Sequence, residues 1–224
     1  MTTPAASDPP PRKRDARARL LDAARDAFRR DGYAATSVDD LCRTAGVTKG
    51  AFFHHFRSKE DLAHAAVAQW GETTGALFSA APCATLDDPV ARIFGYLAFR
   101  RALAQGEPAA MSCLLGALAQ ETAAAMPALR DDLWAVLDGH AETVAADLAA
   151  AKAARAPHAE WNPKDVALFT QSVLQGAFVL AKAKGDSAVV ADMIGHLERY
   201  LAGLLSLPVP PSNSKETTHG DAYV

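Results

Sequence analysis

The sequence is poor in aromatic residues, at 7%, and nowhere alternates valine, isoleucine or threonine with polar residues at period two. Without that alternation a half-buried sheet has no apolar face, so helices are favoured over strands. Only three cysteines occur, Cys42, Cys83 and Cys113. Their odd number, wide spacing and lack of a Cys-x-x-Cys pair argue against a disulfide framework and against a structural zinc site. No uncharged apolar run approaches the roughly 18 residues of a membrane span, and the opening MTTPAASDPPPRKR has no apolar stretch behind a basic patch. Neither a span nor a secretory signal is expected, and the cytoplasm is the expected location. Also missing are His-Glu-x-x-His, Gly-x-Ser-x-Gly, a phosphate-binding Gly-rich loop and paired inward carboxylates. No enzyme activity, catalytic residue, cofactor or metal is expected.

What remains is a chain of 224 residues, 50% apolar, long enough to bury a substantial core. Its net charge of −3 conceals a division. From Arg12 through His64 there are 12 Lys+Arg against 8 Asp+Glu, a balance of +4, which leaves 11 against 18 elsewhere, or −7. A basic first quarter on an acidic body suggests a polyanionic partner for that end alone.

Apolar residues recur at helical spacing through most of the chain, interrupted by short glycine- and proline-containing stretches that divide it into nine helices. Ser37 with Asp40, Ser58 with Asp61 and Asn162 with Asp165 each place a capping side chain three residues before a carboxylate. Pro89, Pro127 and Pro163 suit first helical positions. Residues 1–11 and 207–224 bury little and read as a disordered arm and tail.

Near the amino end, Leu21, Ala24 and Phe28 share one face of a first helix, Asp15 to Asp31, which Gly32 is placed to stop. A short helix from Val38 to Ala45, a turn at Gly46 and a third helix from Thr48 to His55 have the size of a helix-turn-helix over residues 37–56. The second helix of such a motif lies in a major groove about 12 Å wide.

The run LLDAARDAFRRDGYAATSVDDLCRTAGVTKGAFFHHFRSKEDLAHAAV resembles the amino-terminal domain of TetR-type regulators along nearly its whole length. The resemblance rests on the Thr-Ser before the second helix, the Ala-Gly-Val turn, the aromatic-x-His-Phe end of the third helix and the Ser-Lys-Glu-x-Leu opening of the fourth. It implies an all-α fold: a three-helix DNA-binding domain over 12–58 and a six-helix ligand-binding and dimerisation domain over 59–206. The expected protein is a sequence-specific regulator, a repressor released from palindromic operator DNA by a small hydrophobic or amphipathic ligand, and working as a homodimer.

Roles follow at matched positions. Thr48 and Lys49 open the recognition helix, Gly50 permits close approach and His54 points toward the groove. Thr36 and Ser37 meet a phosphate at the start of the second helix, and Lys59 meets one at the start of the fourth. Phe53 stands where the family usually has tyrosine, so a phosphate contact from that hydroxyl is absent. His55 reads as a packing residue that also touches phosphate. Two bland readings stand beside these: Thr48 as an N-cap only, and Lys49 and Lys59 as solvated lysines.

In the larger domain, Trp70, Phe94, Phe99, Met111, Leu114, Leu118, Trp134, Leu137, His140 and Phe178 form the expected ligand pocket, or else plain core. Cys113 opens CLLGALAQET, which looks like the sixth helix of a TetR branch with members that sense electrophiles or oxidants. It is therefore a candidate redox residue, the alternative being an inert thiol. The last two helices have broad apolar faces, and Phe169, Val173, Gly176, Ala177, Leu180, Ile194, Leu197, Leu201 and Leu204 form the expected dimer interface.

Overall fold

The computed structural model describes residues 15–105 and 112–208. The arm and most of the tail, together with Met111, lie outside the described residues. Within them there are nine α-helices and no strand. They are α1 (Ala16–Arg30), α2 (Val38–Ala45), α3 (Lys49–His55), α4 (Lys59–Ser79), α5 (Pro89–Leu103), α6 (Leu114–Thr122), α7 (Pro127–Arg155), α8 (Pro163–Lys184) and α9 (Ala188–Leu204).

The helix starts follow local chemistry. Ser37 and Asp40 form a reciprocal capping box on α2, while the Ser58 hydroxyl accepts from the Asp61 amide and the Asn162 carbonyl oxygen from the amides of Lys164 and Asp165. Each satisfies amide donors that the helix leaves unpaired. Prolines occupy the starts of α5, α7 and α8, where the missing N–H costs nothing. Gly46 ends α2 with φ +61°, and its N–H donates to the carbonyls of Cys42 and Arg43, the left-handed turn that leads into α3.

Two cores result. The first gathers Leu20, Leu21 and Phe28 of α1, Leu41 of α2, Phe52 of α3 and Leu62 of α4 with Leu114 and Leu118 of α6 and Leu129 and Leu133 of α7. It therefore joins the amino-terminal helices to the body without a break. The second packs α5, α7, α8 and α9 around Leu97, Leu148, Leu174 and Ile194. Helix α7 serves both, and α4 lies against it where Gly71 admits Val136; a Cβ there would meet the valine at 3.0 Å.

The apolar stripes of α8 and α9 divide differently from expectation. Ala177, Ile194, Leu197 and Leu201 are buried inside the protomer, because α9 turns its most regular stripe toward α5 and α8. Val173 and Leu204 are half-buried against the same core. The outward face of α8 instead carries Phe169, Gly176, Val179 and Leu180, with Leu180 56% exposed. Phe169 stacks at 4.8 Å on Tyr200, an exposed residue of α9. Helix α8 is long and apolar enough, by length and composition, to cross a membrane, but Val166, Ala167, Leu174, Ala177 and Ala181 sit in the second core together with the polar Thr170 and Gln171. Leu207, assigned above to the tail, packs with Val90, Ala151 and Leu205.

Candidate nucleic-acid interface and interior cavity

Helix α3 is held by its one fully buried side chain, Phe52, and its outer face is formed by Lys49, Gly50, Phe53 and His54, all exposed. Thr48 caps it, accepting from the Ala51 amide at 3.1 Å. His55 is half-buried and meets His54 edge-on. Phe53 is 57% exposed although the core is near, so this ring presents an apolar surface where tyrosine would present a hydroxyl. Lys49 pairs with Asp39 at 2.7 Å. Two exposed arginines that sequence reading passed over flank it: Arg43, paired with Asp40, and Arg57, 3.2 Å from Asp61.

Two of the expected phosphate contacts are placed otherwise. Thr36 is 4% exposed and its hydroxyl donates to the Gly32 carbonyl at 2.7 Å, so its donor is consumed inside the turn. The Lys59 ammonium donates to the carbonyls of Tyr33 and Thr36, both at 2.9 Å, and lies 4.1 Å over the Tyr33 ring. Burial lowers its pKa. Lys59 thus fastens α4 to the α1–α2 turn. Ser37 is exposed, but Asp39 and Asp40 in the first turn of α2, like Glu60 and Asp61 in that of α4, set negative charge where phosphate was expected.

The body holds a partly open cavity of about 540 Å³ among α1, α4, α5, α6, α7 and α8. Trp70, Leu137, His140 and Phe178 line it, as does Cys113. Leu114 and Leu118 do not: they fill the first core. Phe94 packs with the second and third apolar clusters, Phe99 lies edge-on to Phe78, and Trp134 is 54% exposed on the outside of α7. A helical stripe gives no means of telling these positions from lining ones.

Of the polar lining, sequence reading found His140 and missed the rest. Arg29, Thr74, Arg100, Gln171 and Gln175 face the cavity beside Phe78. The Arg100 Nε donates to the Tyr96 hydroxyl at 2.9 Å and its Nη2 to His140 Nε2 at 2.9 Å. Burial, and secondarily the charge of Arg100, lower the His140 pKa from 6.5 to about 4, so the ring is neutral at pH 7 with Nε2 as acceptor. His140 is the one member of this group that sequence reading had placed in the pocket.

The cavity reaches the amino-terminal helices through α6. Arg29 Nε donates to the Ser112 carbonyl at 2.6 Å, and the Ser112 hydroxyl donates back to the Arg29 carbonyl at 3.0 Å. At the other end of α6, the Glu121 carboxylate accepts from the amides of Tyr33 and Ala34 at 3.0 and 2.9 Å. Gly32 stands in that seat with φ +95°, and a Cβ there would come within 2.5 Å of the carboxylate.

Among the described residues no cluster of His, Cys, Asp and Glu could hold a metal ion. Comparison with known proteins agrees with the helical architecture. Residues 20–66 match the family model for bacterial regulatory proteins of the tetR family, and residues 89–197 that for the tetracyclin repressor-like C-terminal domain. The transcriptional regulator AcuR of Cereibacter sphaeroides is 29% identical over 86% of this chain and 78% of its own length. The regulator TtgR of Pseudomonas putida is 36% identical over 34% of this chain and 36% of its own. A TetR transcriptional regulator from Chloroflexus aurantiacus superposes with TM-score 0.73 at 28% identity, over 84% of this chain and 94% of that one. The regulatory protein TetR of Rhodobacter sphaeroides gives 0.73 at 25% identity, over 84% and 98%. These relatives are regulators of transcription and not enzymes. The chain belongs to the TetR family and is a DNA-binding transcriptional regulator.

Proposed function

We propose that this regulator is a repressor that binds a palindromic operator as a symmetric homodimer in the cytoplasm and leaves it when a small amphipathic ligand fills the interior cavity. The observation that carries the reading is the double hydrogen bond between Arg29 and Ser112, two residues that also line the cavity. A ligand that displaces the start of α6 acts directly on the end of α1, and α1 shares a core with α2 and α3. Changing the separation of two recognition helices removes their fit to half-sites about 34 to 36 Å apart. In this reading residues 12–58 read DNA and residues 59–206 bind ligand and partner.

Lys49, Thr48 and His54 contact bases or phosphates, Gly50 permits the approach, and Phe53 gives an apolar contact of the kind a thymine methyl accepts. Arg43 and Arg57 add phosphate contacts. The dimer forms through the outward face of α8, around Phe169, Gly176 and Leu180, with Tyr200 of α9. Gly176 has no atom within 4 Å of its missing Cβ, which leaves room for the partner helix to come close.

The test is binding to the DNA flanking the protein's own gene, measured against salt and against random DNA of equal length. Steep salt dependence on both, with tighter binding to the former, is expected. Equal affinity for both sinks the proposed operator recognition. A second reading, release by covalent modification, has one observation in its favour: Cys113 lies on the wall shared by the large cavity and a neighbouring one of about 270 Å³. Release that persists in Cys113→Ser assigns the switch to the ligand.

A further inference from the structure

We propose that the cavity takes a small organic anion, one carboxylate on an apolar body of about one or two rings, and that Arg100 binds the carboxylate. The proposal rests on the cavity being the effector site and narrows what enters it.

Among the described residues the lining contains two arginines and a histidine but no aspartate or glutamate, in a chain where Asp+Glu outnumber Lys+Arg by 26 to 23. Arg100 is the telling residue. A guanidinium carries five N–H donors. One of Arg100's is given to Tyr96 and one to His140, while its Cζ rests 4.4 Å over the Phe78 ring. The other N–H groups have no acceptor, and no carboxylate pairs with the charge, among the described residues. A half-buried cation without a counter-charge is unfavourable, and a carboxylate of matched geometry relieves it with two parallel hydrogen bonds.

The surroundings hold the fork ready. Tyr96 is buried, and its hydroxyl also accepts from Gln171 Nε2 at 3.3 Å. The neutral His140 accepts from Arg100 instead of adding a second proton-bearing competitor for the site. Both fix the guanidinium plane before a ligand arrives, which reduces the ordering cost of binding. Beyond this polar end lie Trp70, Leu77, Leu103, Leu137 and Phe178, which suit a hydrocarbon body. The volume of about 540 Å³ exceeds several-fold the roughly 150 Å³ that accommodates benzene in an engineered apolar cavity. A neutral hydrocarbon filling it would cut Arg100 off from water, and a cationic ligand would meet two arginines.

Isothermal titration calorimetry on the full chain, with 3-phenylpropanoate and its neutral amide 3-phenylpropanamide, separates charge from shape. The acid is expected to bind at least tenfold more tightly than the amide. Arg100→Gln should bring the ratio near one by weakening the acid far more than the amide, whereas Tyr96→Phe, which keeps the cation, should retain a preference for the acid. Thermal melting monitors folding of each variant. Should Arg100→Gln not fold, Arg100→Lys serves in its place, with a weakened but surviving preference expected because it keeps the charge and loses the fork. Amide binding equal to or tighter than acid binding overturns the anion proposal and leaves the effector cavity standing. A preference that survives intact in Arg100→Gln removes the assignment to that residue. Binding of neither probe at millimolar concentration overturns both the anion proposal and the effector reading.

Discussion

Lys49 on the outer face of α3 and Arg100 inside the body are both cations, and their surroundings are opposite. Lys49 stands beside Asp39, and its exposed neighbours Arg43 and Arg57 beside Asp40 and Asp61. Such solvated pairs are screened by water and salt and exchange readily for other partners. Arg100 has hydrogen bonds to neutral groups and no acid among the described residues. The outer face therefore carries cations already answered by neighbouring acids, while the body holds one answered, among the described residues, by neutral groups.

The largest test breaks the support of the outer face. Phe52 is the one fully buried side chain within α3, set in the first core beside Phe56 at the helix end, so Phe52→Ala should lose about 3 to 5 kcal/mol in urea unfolding and, with it, operator binding. Retained stability would mean that α3 is held by its caps instead. Next comes the interior. Because His140 titrates near 4 in the fold and 6.5 when free, the unfolded chain takes the proton first. The wild type should thus lose about 3 kcal/mol more than His140→Gln as pH falls from above 6.5 through 4, with the difference levelling off about one unit below the folded value. The groups facing His140 are Arg100 and Tyr96 of α5 and Phe78 of α4, none of them a carboxylate. Parallel pH profiles of wild type and variant would remove the desolvated histidine.

A third change lies between the two regions. Glu121→Gln weakens the acceptor for the Tyr33 and Ala34 amides, an exposed contact that should cost about 1 kcal/mol. Hydrogen exchange at those two amides should quicken about fivefold, and unchanged exchange would mean that α6 does not hold the α1–α2 turn. The smallest effect belongs to the outer ion pairs. Asp39→Ala should tighten binding to random DNA by about threefold and steepen its salt dependence. Weaker binding would show that Asp39 orients Lys49 for contact.

The sequence showed the local frame of the DNA-binding end more fully than the cavity, of which it gave Trp70, Leu137, His140 and Phe178, for one physical reason. Caps such as Ser37 with Asp40, or Thr48 before α3, are settled within a few residues, and so are the turn at Gly46 and the burial of Phe52. The cavity is assembled from six helices. Arg100 and Arg101 are neighbours in sequence, yet one turns into the cavity and the other reaches Glu198 of α9 at 2.7 Å. Ile194, Leu197 and Leu201 form a stripe as apolar as any interface, and only the position of α5 decides that it faces inward. Thr36 and Lys59 were legible as residues of the DNA-binding end but not in their inward bonds, which depend on where the backbone of the α1–α2 turn returns.

Helix α7 runs unbroken for 29 residues, about 44 Å at 1.5 Å per residue. Its first turns are clamped by Leu129 and Leu133 in one core, its later turns by Val144 and Leu148 in the other, and Val136, Leu137 and His140 form the cavity wall between. Mechanically it is a beam fixed at both ends and loaded at mid-span. A displacement of the cavity wall at Leu137 cannot bend the middle without transmitting load to both supports, so it is felt at once beneath α1, α2 and α3 and beside α8 and α9.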